Sequence, residues 1–371
     1  MRIALFSLLW LLFASCSVTS KTALEGSGGR NAYNLVLQAT NSEQMLLNLI
    51  RLRFFDSPYF LDVDSITTQF TYRTSVAPKI PIPGFNRNNP FTIGGDFSWT
   101  SQPTIQFTPL EGQDFAKQLL TPIDLKTIQQ LILSGWDIDL IFKIVIQSFD
   151  EFLNAPEAAA PIPEYAPRYE QFFEVTKLLR YFQMRSALKV GVKCCPKIEP
   201  SQAQVNSGES KEILQLAFPE GDTESEKLAS FFSDVHKSEG HYVVNLELGY
   251  NSHGKIGIIP RSILSSMYYL SLGIDVPEED IKKHHVVETL AETGEPFDWK
   301  RIIGELIEVK SSGQEPKSSY ISVKYKDSWY YIEDSDILSK RTFLLLLQLY
   351  NLQAKESKMP PPILTLPIGN L

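Results

Sequence analysis

Apolar residues recur along this chain in two rhythms, and each change of rhythm marks a change of element. Met45, Leu46, Leu49, Ile50 and Leu52 return near the 3.6-residue period; Ser42 can cap the run and Pro58 forbids its continuation. A helix is therefore expected from about Ser42 to Phe55. From Tyr59 to Tyr72 the period falls to two, with Ile66, Thr68, Phe70 and Tyr72 on one face of a strand and Thr67, Gln69 and Thr71 on the other. Val76 to Gly95 is rich in proline, glycine and asparagine and reads as a long irregular loop, either a binding segment or a surface excursion without a role. Two short strands are expected next, at Phe97–Ser101 and Thr104–Thr108.

Helical spacing then returns. Gln113–Leu120 opens it, and Thr121-Pro122-Ile123-Asp124 restarts it with Thr121 as cap and Pro122 at the first helical position, ending near Gly135. Asp137–Leu153 is expected as one helix, because Ile138, Ile141, Phe142, Val145, Ile146, Phe149 and Phe152 make a broad apolar face. Ala155–Pro167 holds too much proline for a helix and reads as an internal linker. Tyr169–Leu188 is strongly amphipathic. The second half predicts a strand at Ile213–Phe218, a helix at Glu224–Val235, and a hairpin of Tyr242–Tyr250 with Lys255–Ile259 around Asn251-Ser252-His253-Gly254. A helix from Ser262 to Leu272 stopped by Gly273 follows, then a hairpin of Tyr320–Tyr325 with Trp329–Ile332. The last helix, capped by Ser335 or Asp336, runs to about Ala354, and Pro360–Leu371 is expected to pack as an extended arm.

These elements predict an α+β protein, with a helix-rich N-terminal half and an antiparallel hairpin-plus-helix C-terminal half. The expected domains are a helix-rich domain with an early β segment over 31–190, a linker over 191–211, and an α+β domain over 212–371.

The first residues bear on location. Met1 and Arg2 precede an apolar run from Ile3 to Phe13, shorter than the ~18 residues a membrane span needs, so 1–15 reads as a secretory signal peptide. The pair Ala14-Ser15 before Cys16 resembles the lipobox of bacterial prolipoproteins, with Phe13 where that motif usually has leucine. The resemblance implies acylation of Cys16 at the mature N-terminus and, with Ser17 following, an outer-membrane anchor facing the periplasm. Residues 16–30 then form a lipidated tether, with Gly26, Gly28 and Gly29 making it flexible. Cleavage without lipidation would instead give a soluble exported protein.

A net charge of −8 and a pI near 5.3 disfavour a nucleic-acid binder, which needs a cationic surface. Hydrophobic residues at 43% and charged residues at 21% fit a globular chain with a core. Once Cys16 is set aside, only the adjacent Cys194 and Cys195 remain, too few for a disulfide framework or a four-ligand zinc site.

Candidate chemistry is scattered. His236-Lys237-Ser238-Glu239-Gly240-His241 is close to the H-x-x-E-H arrangement of zinc peptidases, but the inserted Gly240 takes the histidines off a shared helical face, so a helix-terminating surface turn is expected. His284 and His285 are adjacent and diverge on any regular element. The acidic pairs Asp62/Asp64, Asp137/Asp139 and Asp334/Asp336 could serve glycoside hydrolysis if folding set them about 5–9 Å apart, although Asp137 and Asp139 suit a first helical turn and Asp336 a cap. Trp329-Tyr330-Tyr331 and Tyr268-Tyr269 could recognise sugar or protein, or pack in the core. No nucleophile elbow and no phosphate-binding glycine motif occurs, so no catalytic residue, cofactor or metal is assigned.

The phrases Gln44-Met45-Leu46-Leu47-Asn48-Leu49-Ile50-Arg51-Leu52-Arg53, Phe107-Thr108-Pro109-Leu110, Leu119-Leu120-Thr121-Pro122-Ile123 and Tyr331-Ile332-Glu333-Asp334-Ser335-Asp336 resemble those of a family of bacterial envelope lipoproteins. That resemblance implies an envelope location and no particular activity. The expectation is a lipid-anchored envelope protein with a structural, assembly or protein-interaction role, held to the membrane by its N-terminal lipid, with an envelope protein partner. The alternative is a lipid-anchored periplasmic hydrolase or glycan-binding protein.

Overall fold

The computed structural model describes residues 30–78, 93–159, 165–193, 212–249 and 256–353, and their side chains except over 67–103. Cys16, Cys194, Cys195, the 16–29 part of the tether and the C-terminal arm lie outside these residues, as do most of the Val76–Gly95 loop and the 194–211 part of the linker.

The chain is an α+β protein, as its pattern predicts. In chain order the elements are α1 (Arg30–Arg53), β1 (Phe60–Pro78), β2 (Ile93–Leu110), α2 (Gln113–Leu120), α3 (Leu125–Leu133), α4 (Ile138–Val145), β3 (Ile146–Phe149) and β4 (Phe152–Leu153). There follow α5 (Glu170–Met184), β5 (Lys189–Lys193), β6 (Ile213–Pro219), α6 (Thr223–Ser230), β7 (Val235–Ser238), β8 (His241–Leu248), β9 (Ile256–Pro260) and α7 (Ile263–Ser271). The chain closes with α8 (Glu278–Lys282), α9 (Lys300–Ile303), β10 (Lys310–Ser312), β11 (Ile321–Tyr325), β12 (Ser328–Ile332) and α10 (Ile337–Gln353). Two compact units divide it: one holds β1 and β2, the other Asn41–Pro58 and everything described from Glu111 to Gln353.

The first unit is a two-stranded antiparallel ribbon in which all 18 residues of β2 pair with β1. With the end pair Phe60 and Leu110 set aside, the apolar positions of β1 change phase, odd at Leu61 and Val63 and even at Ile66, Phe70 and Tyr72, whereas those of β2 stay odd. One extra residue in β1, Asp64, lets Val63 pair with Phe107 and Ser65 with Gln106. This bulge absorbs the phase change and keeps the apolar positions of both strands in one row. The row begins with the facing pairs Leu61–Pro109, Val63–Phe107 and Ile66–Ile105, while Phe60–Leu110, Asp62–Thr108 and Ser65–Gln106 begin the other, with Phe60 buried. β2 is one strand rather than the expected two, running through Pro103, because a ribbon edge tolerates a residue without an N–H.

In the second unit a seven-stranded sheet runs β4-β3-β9-β8-β6-β5, with β7 and β9 sharing the remaining edge of β8. Leu214, Leu216 and Phe218 alternate inward along β6 and meet Val244 and Leu246 of β8 in the core. The ring of Phe149 stacks on Phe172 of α5 at 4.9 Å, and Phe182 of α5 stacks on Phe218 at 5.5 Å. A second sheet, β10-β12-β11, buries Tyr330 and Ile332. Against it packs Phe54, just beyond α1, with its ring 5.6 Å from Tyr325 and 6.1 Å from Tyr330.

Helix α4 is the most enclosed element: Ile138, Ile141, Phe142, Lys143, Ile144 and Val145 are all buried. Its ends cannot rely on water, so side chains from elsewhere satisfy them. At the N-terminus the Gln183 side-chain oxygen accepts from the Ile138 N–H at 2.9 Å. At the C-terminus Arg261, 1% exposed, donates Nη1–H to the carbonyls of Lys143, Ile144 and Ile146, and Nη2–H to those of Asn154 and Ala155. Asn154 adds Nδ2–H bonds to the Lys143 and Ile146 carbonyls at 2.8 and 2.6 Å. Its Oδ1 accepts from the Tyr269 hydroxyl, whose ring lies 4.1 Å from the guanidinium. Burial pushes Arg261 down to about 10, so the cation survives at neutral pH.

This cap accounts for the largest departure from expectation. The helix expected over Asp137–Leu153 stops at Val145, and the remaining residues become β3 and β4 with Asp150 at φ 45° in the turn. Other differences are local. α1 starts at Arg30 rather than Ser42. Asp124, not Thr121, caps α3, accepting from the Thr127 N–H at 2.6 Å. The helix expected over Glu224–Val235 ends at Ser230. The hairpin expected of Tyr242–Tyr250 with Lys255–Ile259 is instead a parallel pairing of β8 with β9, over only Leu246–Ile256, Glu247–Gly257 and Leu248–Ile258.

Arg261→Met should leave the carbonyls at the C-terminus of α4 without donors and lower stability by about 3 kcal/mol or more, read from the urea midpoint. Arg261→Lys, with one compact ammonium for several acceptors, should recover less than half of that.

Candidate functional site

The histidines singled out by spacing do not converge. Glu239 and Gly240, both at positive φ, form a two-residue turn that pairs Ser238 with His241, so a β-hairpin stands where a helix terminus was expected. His236 lies 3.4 Å from Asp234, and His241 Nδ1 sits 3.0 Å from the Glu239 carbonyl. His285 pairs with Asp280 at 2.7 Å, and His284 sits at φ 56°. Among the described residues no group of three or more His, Cys, Asp or Glu side chains is placed to hold a metal ion.

The aromatic runs are mainly core. Tyr330 and Tyr269 are fully buried, whereas Trp329 and Tyr331 are half-buried on the other side of β12. Tyr325 donates its hydroxyl to Asp56; burial and that carboxylate push the phenol well above its ordinary range. Asp336 caps α10, accepting from the Ser339 N–H at 3.0 Å, and Asp334 pairs with Lys340 at 2.7 Å.

Asp137 and Asp139 do line a cleft, of about 340 Å³, together with Leu140, Lys143, Glu305, Leu306, Leu338, Arg341 and Thr342. Helix α4 supplies one wall and α10 another. Asp137 stands at the N-cap position of α4 without bonding the helix; its Oδ1 takes Arg180 of α5 at 2.5 Å and its Oδ2 takes Arg341 of α10. One carboxylate thus ties three helices. Asp139 lies 3.9 Å from the Arg180 Nε. Lys143, 8% exposed, reaches Glu305 at 3.2 Å and lies 4.4 Å above the Phe173 ring. The cleft's three carboxylates are therefore matched by three cations, and no aromatic side chain lines it. A glycosidase needs one carboxyl group kept protonated and another poised at the bond; here Asp137 is committed to two guanidiniums.

The ribbon is the other candidate, and spacing alone did not assemble it. Leu61, Ile105 and Phe107 are exposed by 37%, 42% and 56%, and all belong to the row that the Asp64 bulge creates. Among the described residues no third strand pairs with β1 or β2. Pro109, Phe107 and Ile105 alternate in the sequence in a way that could have signalled the row; the parity change at Asp64 hid their partners on β1.

No family model, no curated protein and no solved structure matches this chain.

Asp137→Ala strands two half-exposed guanidiniums and should cost about 1–3 kcal/mol, measured by urea unfolding. Asp139→Ala should stay within about 0.5 kcal/mol of the parent. Equal costs for the two would refute the assignment of Asp137 as the clamp.

Proposed function

We propose that this chain is a bacterial envelope lipoprotein, acylated at Cys16 and held at the outer membrane facing the periplasm, whose body acts as a structural or assembly component through protein contacts. The observation that carries the reading is the ribbon's row of exposed apolar residues at Leu61, Ile105 and Phe107. An exposed apolar row on a strand ribbon is a feature that a protein partner covers. The leader and the Ala14-Ser15-Cys16 junction support the anchor. Among the described residues no helix is long and apolar enough to cross a membrane. The hydrolase or glycan-binding alternative draws on the cleft, where the ion pairing of Asp137 argues against it.

Two measurements test this. A clickable palmitate analogue should label the native chain and fail to label Cys16→Ser; label that survives the substitution would refute the anchor. The double variant Ile105→Asp/Phe107→Asp should keep the parent's thermal unfolding temperature yet lose the high-mass species seen on native gels of detergent-extracted envelopes. An unchanged gel would refute the ribbon as the contact surface.

A further inference from the structure

The cleft between α4 and α10 holds more polar capacity than its own ion pairs use. Its volume, about 340 Å³, falls at the small end of the ~300–1,000 Å³ range of sites that enclose a small molecule. Helical spacing builds both walls. Asp139 and Lys143, four residues apart, share one face of α4, and Leu338 and Thr342 stand in the same relation on α10 with Arg341 beside them. Lys143 carries three N–H donors, and its one acceptor among the described residues is Glu305, whose side chain is 73% exposed in a turn just beyond α9. Arg341 carries five donors, and its one acceptor among the described residues is Asp137. Asp139 lies 3.9 Å from the Arg180 Nε, beyond hydrogen-bond length. Asp139 and Lys143 are spaced for an ion pair on one helix, yet each is turned to a different partner. Thr342 adds an observation that does not depend on charge. It lines the cleft, and its buried hydroxyl has no hydrogen-bond partner among the described residues, not even the carbonyl four residues back that a helical threonine often uses. An unpaired buried hydroxyl costs free energy, so a ligand oxygen that accepts from it is stabilised by the same amount.

The same features select the chemistry of a ligand. With Arg180 counted, three carboxylates meet three cations, so the site is neutral overall and a ligand of net charge gains little there. Groups of both signs with spare capacity suit a ligand that itself carries both. Leu140, Leu306 and Leu338 supply apolar surface, and no aromatic side chain lines the cleft for a sugar or base to stack on. One helical turn, ~5.4 Å, separates Asp139 from Lys143, a span that an ammonium and a carboxylate on a single carbon can bridge. We propose that this cleft binds a free α-amino acid with an aliphatic side chain. The ammonium sits at Asp139, the carboxylate accepts from Lys143, Arg341 and the Thr342 hydroxyl, and the side chain lies against the three leucines. Glu305 holds Lys143 in the free protein and gives way to the ligand carboxylate. This inference goes beyond the assembly role proposed above and rests neither on the anchor nor on the ribbon.

The test is isothermal titration of the full, detergent-extracted chain with L-leucine, which should bind saturably at one site with a Kd at or below about 1 mM. L-Leucinamide lacks the carboxylate and 4-methylpentanoate lacks the ammonium; each should bind about tenfold more weakly or worse, the loss expected for charge-assisted hydrogen bonds. Asp139→Asn should weaken leucine about tenfold and leave 4-methylpentanoate at its parental affinity. Thr342→Val should weaken both without lowering the thermal unfolding temperature, because the hydroxyl it removes is unpaired in the free protein. Glu305→Gln should tighten both, because it removes the carboxylate that competes for Lys143 while keeping a carbonyl acceptor. No saturable heat with leucine up to about 10 mM, equal affinity for the three compounds, or weaker binding in Glu305→Gln would each overturn the site. The comparison of the three compounds is made on the parent chain and stands whether or not a variant folds.

Discussion

The larger unit is organised around one buried cation that has no carboxylate partner. Arg261 lies inside the protein and gives its guanidinium donors to backbone carbonyls at the end of α4 and in the turn beyond β4. Both Nη groups of the buried charge are occupied and only its Nε–H has no hydrogen-bond partner, and the negative end of a helix together with the Tyr269 ring supplies the field that a carboxylate would otherwise provide. Because Arg261 also receives the Ile123 N–H on its own carbonyl and is followed by Ser262, which caps α7, the same residue joins the start of α3, the end of α4, β9 and α7. Gln183 does the corresponding work at the other end of α4. Enclosure of one short helix therefore dictates several long-range contacts that no local pattern announces.

The ribbon obeys a different constraint. Side chains along a strand alternate with a period of two, so a sequence whose apolar positions change parity must either split its apolar face or insert a residue. β1 inserts Asp64, a charged residue that no apolar row could hold, at the bulge between Val63 and Ser65. The result is a row that runs on through Leu61, Val63 and Ile66 opposite Pro109, Phe107 and Ile105, and the proposed assembly role rests on that row.

The sequence was most legible where a single period governed a whole element. The core helices over 170–184 and 337–353, the pairing of β11 with β12 and the burial of Tyr330 all follow from local pattern and capping residues. It was least legible where tertiary contacts overrode periodicity. The apolar face from Ile138 to Phe152 is a good helical face, and only the Arg261 cap converts its second half into β3 and β4. The parallel contact of β8 with β9 likewise had no local sign, because a Gly- and Asn-bearing connection reads as a hairpin turn. At the candidate cleft, Asp137 and Asp139 were visible as a pair, but Arg180 and Arg341, which fill the Oδ positions of Asp137, come from helices far away in sequence. The apolar row of the ribbon was half visible: the sequence put Ile66 and alternate residues after it on one face, but did not show the bulge that adds Leu61 and Val63.

Deleting Asp64 tests the link between this geometry and assembly most directly, with Asp64→Ala as the control that keeps the residue count of β1. Without the extra residue, Leu61 and Val63 move to the polar row while β2 is unchanged. The account predicts that the deletion abolishes the high-mass species on native gels of detergent-extracted envelopes, leaves the thermal unfolding of the larger unit at its parental temperature, and that Asp64→Ala retains that species. A deletion variant that still forms the parental species in full yield would contradict it.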